Sequence, residues 1–193
     1  MKYVSIDIET TGLDPENHQI LSFGAIIEDT DKPELGFEEV PKFYKVFLNE
    51  LKSGADPYAL SMNKEALMEI SERGGNSIYF EYFTHEFKDF LEDNGFDLSK
   101  PLNLAGKNIA TFDLKFLERN WWNLDQHGHP MFEYYSRILD PAILCVDWGK
   151  DEKLPSLHQC KERCGIKGEV SHHALSDAWD VIQILRKHIN NKT

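Results

Sequence analysis

The strongest constraint on the fold is the alternation of apolar and acidic side chains at the start of the chain. In an extended chain, Val4, Ile6 and Ile8 fall on one face of the strand. Asp7 and Glu9 fall on the opposite face, where two carboxylates lie close enough to repel each other. Burial would raise the pKa of both groups unless a cation compensates their charge. The alternation therefore predicts a strand with an apolar back and an acidic front.

The acidic front is a candidate metal site. With no Lys or Arg nearby in the sequence, a bound divalent cation is the simplest compensation for Asp7 and Glu9. The ligands are oxygen atoms only, which suits Mg²⁺ or Mn²⁺, and the spacing does not match a calcium-binding EF-hand loop. Thr10, Thr11 and Gly12 follow directly and are predicted to turn the chain and to offer backbone N–H groups to a phosphate or sugar. A D-x-E pair alone leaves a solvated strand edge as an open alternative.

A second inward-facing acid lies in the segment "GKNIATFDLKFL". On a helix that begins near Thr111, Asp113 shares a stripe with Phe116 and Leu117. An acid on an apolar stripe is unusual, because Asp is seldom buried without a partner. The alternative is an acid at a helix start that interacts favourably with the helix dipole.

A third acid lies in the segment "HHALSDAWDVIQIL". Asp177 begins an apolar stripe whose further members are Val181, Ile184 and Leu185. His172 stands five positions earlier, at or just before the helix start, where its side chain can reach the same site. Ala174 and Ala178 are small and would let this helix approach a sheet closely. Taken alone, His172 is equally consistent with a surface histidine near a helix end.

The order of the predicted elements indicates an α/β fold with one mixed sheet covered by helices. Strands are predicted over residues 2–9 and in the segment "NHQILSFGAII", which ends at about Ile27. Three further strands are predicted in the segments "KFYKVFL", "PLNLAG" and "SRILD". The first three are joined by short connections, which favour antiparallel pairing. Helix starts are predicted at four residues that cap helices well: Ser61, Thr84, Thr111 and Asp140. We expect one domain over residues 1–193.

The charge balance limits the kinds of partner that the chain can bind. Its 193 residues contain 21 Lys and Arg against 33 Asp and Glu, a formal net charge of −12. This argues against a broad basic face that grips long duplex nucleic acid, but not against a small site that holds nucleic acid through metal ions. No segment approaches the ~20 apolar residues of a membrane helix, and no secretory signal is evident. We therefore expect a soluble, cytoplasmic protein without a membrane partner.

The chain has 3 cysteines, and an odd number does not suggest a disulfide framework. His158, Cys160 and Cys164 form an H-x-C-x₃-C segment that raises the possibility of a zinc site. This spacing is not a standard one for zinc, and a fourth ligand is not evident. Two packed or half-exposed thiols on one helix face explain the same residues.

The motifs "DIETTGLD", "GKNIATFDLKFL" and "HHALSDA" together resemble those of the DEDDh group of 3′–5′ exonucleases. This group includes the proofreading exonuclease of bacterial replicative polymerase, ribonuclease T and oligoribonuclease. The resemblance covers most of the chain, with the three motifs in the same order and at compatible distances. It implies a ribonuclease H-like fold, in which helices flank a central mixed five-stranded sheet of three antiparallel strands plus parallel strands.

The resemblance also implies roles for individual residues. Two Mg²⁺ or Mn²⁺ ions would be held by four acids: Asp7, Glu9, Asp113 and Asp177. His172 would be the histidine of the H-x₄-D pattern and the general base, a role that suits a side chain with an ordinary pKa of about 6.5. Its neighbour His173 leaves the choice open, and spacing favours His172. Leu13 takes the place of an apolar wedge against the terminal base.

Six residues are predicted to bind substrate: Thr10, Thr11, Gly12, Leu13, Asn108 and Phe112. Members of the group usually have His where Lys107 stands, so the substrate contacts of this loop are expected to differ. Trp121 and Trp122 are further stacking candidates, although aromatic residues on helices more often belong to the core.

The activity implied is metal-dependent 3′–5′ hydrolysis that releases nucleoside 5′-monophosphates from the 3′ end of single-stranded DNA or RNA. The alternative is a catalytically weak module that binds a nucleic-acid 3′ end or serves as a polymerase-associated proofreading partner. A partner in replication or RNA processing would be compatible with either. The choice between RNA and DNA, and the oligomeric state, stay open at this level.

Overall fold

The computed structural model describes residues 1–48, 54–168 and 170–190. Its strands are β1 (Lys2–Thr10), β2 (Ile20–Asp29), β3 (Lys42–Phe47), β4 (Ser77–Ile78) and β5 (Leu104–Ala105). Its helices are α1 (Pro57–Met62), α2 (Lys64–Glu72), α3 (Phe80–Asp93), α4 (Asp113–Arg119), α5 (Ala142–Cys145), α6 (Leu157–Arg163) and α7 (Ala174–Asn190).

The strands form one five-stranded mixed sheet in the order β4-β3-β2-β1-β5. β1 pairs with β2 and β2 with β3 in antiparallel fashion, whereas β4 and β5 add to the two edges in parallel. The predicted fold class is therefore confirmed: an α/β, ribonuclease H-like sheet of three antiparallel strands plus parallel strands, flanked by helices.

The fifth strand differs from the one predicted. The segment "SRILD" forms only an isolated bridge between Leu139 and Ala105, and the fifth strand is instead the two-residue β4. The edge pairing of Ser77 and Ile78 with Val46 and Phe47 is too short to produce a recognisable alternation in the sequence. Local pattern therefore could not identify this strand.

The predicted helix caps Ser61, Thr84 and Thr111 are wrong. Ser61 lies inside α1, which is capped by Asp56, and Thr84 is buried within α3. The hydroxyl of Thr111 donates to the side chain of Asn108, and α4 begins at Asp113. Asp140 lies one position before the N-cap of α5, yet its Oδ1 accepts a hydrogen bond of 2.8 Å from the backbone N–H of Ala142.

Both faces of the sheet are covered, so most of the acidic front of β1 is shielded from solvent. One face packs Val4, Ile6 and Ile8 against the aromatic residues of α3 and α4. On the other face, Tyr3 is buried against the apolar side of α7, and the Ser5 hydroxyl donates to the Ala178 carbonyl over 2.8 Å. The front stays partly open only toward the carboxyl end of β1.

Gly24 permits the close approach of α7 to the sheet. It stands opposite Asp7 in the β1–β2 pair, and a Cβ placed there would lie 2.5 Å from both the Ala174 carbonyl carbon and the Leu175 nitrogen. No side chain fits in that space, since the obstacle is helix backbone. The first turn of α7 consequently lies directly over the acidic part of β1.

None of the helices in the described part of the chain combines the length and the apolar character that crossing a membrane requires.

Replacing Gly24 with Ala should push the start of α7 away from the sheet. We expect G24A to lower the free energy of unfolding by about 1–3 kcal/mol, the usual cost of overpacking. G74A is the matched control, because no heavy atom lies within 4 Å of a Cβ at Gly74. Urea unfolding of both variants measures the difference, and equal stability would contradict the close-contact explanation.

Candidate active site

Asp7 and Glu9 project from the last part of β1 on the face that α7 covers. Both side chains are half-buried. The pairing of β1 with β2 places them opposite Gly24 and Ser22, and the register shifts directly after Glu9. The two acids therefore lie where the sheet ends and the start of α7 leaves an opening.

Asp113 reaches the same place from the opposite side of β1. It is the first residue of α4 and is only 3% exposed. Its Oδ1 accepts a hydrogen bond of 3.0 Å from the backbone N–H of Ile8, between the two acids of β1. This bond fixes the carboxylate beside the strand and leaves its second oxygen available to another partner.

Asp177 is brought to the site by the first turn of α7. It is 6% exposed, and the Ser171 hydroxyl lies 3.4 Å from its Oδ1. The backbone N–H of Asp177 donates to the His173 carbonyl, which makes His173 the residue from which the helix starts. The stripe that the sequence predicted thus faces the sheet at its amino end.

His172 and His173 lie in different surroundings. His172 is exposed, adopts a left-handed backbone with φ of 53°, and has a ring nitrogen within 4.8 Å of carboxylate oxygens of Glu9 and Asp177. His173 is half-buried and stacks on the Tyr44 ring at a centroid distance of 4.6 Å. A left-handed non-glycine residue is an uncommon conformation that persists only where its surroundings hold it. The turn aims His172 at the acids and His173 at the protein.

The electrostatics show that the four acids share one environment. Burial raises the pKa of Asp7 well above its usual range, and the charges of Asp113, Glu9 and Asp177 raise it further. Burial and the charges of Asp177 and Asp113 raise the pKa of Glu9 to about 8. Burial raises the pKa of Asp113 to about 7, against two backbone hydrogen bonds, and that of Asp177 to about 6. Four buried carboxylates in one site cannot all be ionised without a large cost in free energy unless positive charge is nearby.

The donor set fits hard divalent cations. It consists of carboxylate oxygens from β1, α4 and α7, which Mg²⁺ and Mn²⁺ prefer. Binding such ions would also compensate the carboxylate charges that burial makes costly at this site.

The "TTG" turn is largely occupied by internal contacts. The Thr10 hydroxyl donates to the Gly12 carbonyl over 2.7 Å, and the Thr11 hydroxyl accepts from the Gln19 N–H over 2.9 Å. Gly12 packs on the ring of His18, since a Cβ there would lie 2.3 Å from it. Leu13 is 81% exposed at the tip of the turn, where an apolar side chain is open to a ligand.

Asn108 and Phe112 occupy the turn that leads into α4. Asn108 is exposed and left-handed with φ of 63°, and its backbone N–H donates to Asp140. Phe112 is partly buried and packs at a tilt on Phe116, with ring centroids 5.1 Å apart. Both lie within five residues of Asp113. Their contact with substrate stays a prediction.

Sequence reasoning missed two residues that support the acids. Asn63 is 5% exposed, donates from Nδ2 to the Thr10 carbonyl over 3.1 Å, and lowers the pKa of Glu9 through a hydrogen bond. Ser171 makes the hydroxyl contact with Asp177 described above. Asn63 precedes α2 far from the motifs, so no signal in the sequence identifies it.

The members of two further sets suggested by the sequence, the zinc ligands and the tryptophan pair, lie in different surroundings. His158 is exposed and lies 3.5 Å from Glu162, whereas Cys160 is fully buried, so the zinc set of His158, Cys160 and Cys164 is not brought together. Trp122 is in the core, and Trp121 is 63% exposed beside a cavity of about 590 Å³ at the start of α3.

The chain matches a known protein family along most of its length. The model of the RNase_T family, described as exonuclease, matches residues 4–185. Among curated protein sequences there is no match.

Solved structures share the fold at low sequence identity. Exonuclease I of E. coli, in a zinc-bound complex with single-stranded DNA, has a TM-score of 0.65 and 17% identity over 99% of this chain. Exonuclease I from Methylocaldum szegediense has a TM-score of 0.66 and 18% identity, also over 99% of this chain. This chain covers 41% of each of those proteins. The cell-death related nuclease CRN-4 has a TM-score of 0.68 and 14% identity, with 98% of this chain and 64% of that protein covered.

The raised pKa values predict how pH and metal change stability. Because the folded-state pKa values of Glu9, Asp113 and Asp177 lie near 8, 7 and 6, above the ordinary 4.5 and 3.8, ionisation of this site costs folding free energy as pH rises. In EDTA the contribution of the site should thus fall between about pH 4 and about pH 8, and Mn²⁺ should restore it.

The variant D177N separates this effect from other titrations. It should raise the melting temperature in EDTA near pH 8 by about 2–4 °C, as expected for ~1 kcal/mol of relieved repulsion. It should also abolish most of the gain that Mn²⁺ gives. D89N on the solvent side of α3 is the control, and an equal Mn²⁺ response in D177N would contradict a shared cation site.

Proposed function

The chain belongs to the exonuclease family, and from this premise we propose that it is a divalent-metal-dependent 3′–5′ exonuclease that acts on single-stranded nucleic acid. The observation that carries the proposal is the meeting of Asp7, Glu9, Asp113 and Asp177 with His172 at the end of β1. Family membership supports a nuclease that depends on divalent metal. Beyond what family membership supports, we propose the 3′–5′ direction of hydrolysis, the number of metal ions and the substrate.

The four acids would hold two Mg²⁺ or Mn²⁺ ions. When bound, the ions would acidify the attacking water and compensate the charge of the scissile phosphate and of the leaving oxygen. The contribution of the protein is to fix the oxygens in advance: Asp113 through the Ile8 N–H, and Asp177 through the first turn of α7. Glu9 is held in place by Asn63.

His172 would act as the general base. Its ring nitrogen accepts a proton from the attacking water, whose oxygen forms a bond to phosphorus while the bond from phosphorus to the 3′-oxygen of the preceding nucleotide breaks. The 3′-oxygen leaves and is protonated from solvent, so the product is a nucleoside 5′-monophosphate. Exposure of His172 supports this role, because the proton can pass from the ring to bulk water. The packing of His173 on Tyr44 supports the choice of His172.

The proposal accounts for the acidic composition of the chain. A terminal nucleotide held by cations, by backbone N–H groups and by an apolar contact needs no basic track, and stacking tolerates every base. Leu13, at the exposed tip of the turn after β1, supports an apolar contact with the terminal base. The complexes of exonuclease I with single-stranded DNA support single strands as the substrate class.

A single assay tests the proposal. Single-stranded DNA, single-stranded RNA and a blunt duplex, each labelled at the 5′ end, are incubated with Mn²⁺ and resolved as ladders. We expect progressive shortening from the 3′ end of a single-stranded substrate, and no shortening with D7N. A 5′-labelled mononucleotide as the first product would show the opposite polarity. Binding without hydrolysis by the intact chain would instead favour the 3′-end binding module.

Replacement of His172 tests the base. H172N should lower kcat by about 10²–10⁴-fold, the usual contribution of a general base, while substrate affinity changes little. H127N, at an exposed histidine of the 125–129 turn, should retain the activity of the parent. Initial rates at saturating oligonucleotide measure kcat. Binding of labelled oligonucleotide to D7N and to D7N/H172N, which do not hydrolyse it, measures the effect on affinity. A larger loss in H173Q than in H172N would assign the base to the neighbour.

A further inference from the structure

Two cysteines and a histidine meet far from the acidic site. Cys145 ends α5, Cys164 directly follows α6, and His188 lies near the end of α7. The two sulfur atoms are 3.7 Å apart, and a ring nitrogen of His188 lies within 4.8 Å of both. In the described part of the chain, this is one of two groups of side chains arranged to hold a metal, the other being the Glu9, His172 and Asp177 group.

The hydrogen bond of His188 fixes its tautomer. Nδ1 lies 3.0 Å from the Ile184 carbonyl, and a carbonyl only accepts, so Nδ1 must carry the proton. The neutral ring then has its lone pair on Nε2. Metal-binding histidines commonly have this arrangement, in which a backbone carbonyl orients the ring.

The spacing of the sulfur atoms matches a tetrahedral site. Two thiolates each about 2.3 Å from a tetrahedral Zn²⁺ ion would be roughly 3.8 Å apart. The observed 3.7 Å between Cys145 and Cys164 agrees with this value.

A third sulfur lies near the group. Cys160 is fully buried and packs with Cys145 in one small core cluster. Its Sγ lies 3.9 Å from the Pro155 carbonyl, and it is not among the side chains whose ligand atoms lie within 4.8 Å of one another. A water molecule would therefore take the fourth position on the metal.

Arg163 holds the backbone beside the group in place. Its Nη1 donates to the Cys145 carbonyl over 2.8 Å, and its guanidinium also pairs with Asp151.

We propose that Cys145, Cys164 and His188 form a structural site for Zn²⁺ that joins the ends of α5, α6 and α7. Sulfur and nitrogen ligands select zinc over the hard cations that carboxylates prefer. His188 is eleven residues beyond Asp177 on α7, about 16 Å along the helix axis. The zinc site is thus separate from the acidic site, and it does not depend on the proposed exonuclease activity.

The test uses the whole protein with its acidic site disabled. In the D7N/D177N variant, kept reduced, Co²⁺ is titrated as a spectroscopic substitute for zinc. We expect one equivalent to produce a thiolate-to-cobalt charge-transfer band with intense tetrahedral ligand-field bands, and one equivalent of Zn²⁺ to remove them. Absence of these bands would overturn the proposal.

Variants of each ligand assign the site. On the D7N/D177N background, C145S, C164S and H188Q should each lose the charge-transfer band or weaken Co²⁺ binding by at least about tenfold, and each should lose the rise in melting temperature that Zn²⁺ gives. H158Q, which removes the exposed histidine of the alternative zinc set, should bind as the parent does. Circular dichroism checks folding, and H188Q decides the result if a cysteine variant does not fold. Unchanged bands in H188Q, or their loss in H158Q, would overturn the assignment.

Discussion

The close approach of α7 to the sheet over Gly24 is the constraint on which the site depends. Backbone atoms of the first turn of α7 occupy the space where a side chain at Gly24 would stand. The same helix turn delivers Asp177 to the acids of β1 and leaves His172 in the turn before it. Displacing this turn would move Asp177 and His172 away from the acids of β1, so the geometry of the candidate site depends on the packing of α7 on the sheet.

The protein holds its acids together with ion pairs placed elsewhere on α7. Arg186 donates two hydrogen bonds to the buried Glu28 of β2, at 2.7 and 2.6 Å, and fastens the far half of the helix. Burial and the charge of Asp180, one turn beyond, raise the pKa of Asp177, and the Lys161 that pairs with Asp180 partly offsets this rise. Buried pairs of this kind are costly to break, which suits a helix that must stay in position against local repulsion.

The sequence predicted which acids meet at the end of β1 better than it predicted the elements that carry them. The alternation around Asp7 and the stripes that begin at Asp113 and Asp177 are local patterns that burial imposes, so they could be interpreted without a structure. The two-residue strand β4 and the contact of Asn63 with Thr10 could not be, because each depends on a partner distant in the chain. The same holds for Cys145 and His188, which lie outside the H-x-C-x₃-C segment that suggested zinc.

The order of the elements has a consequence for synthesis. β1 is made first and α7 last among the described elements, so Asp177 is synthesised 168 residues after Glu9. Contacts between such distant segments form late, since chain entropy opposes closing a long loop. The four acids of the candidate site therefore cannot meet until the start of α7 has been synthesised and has packed on the sheet.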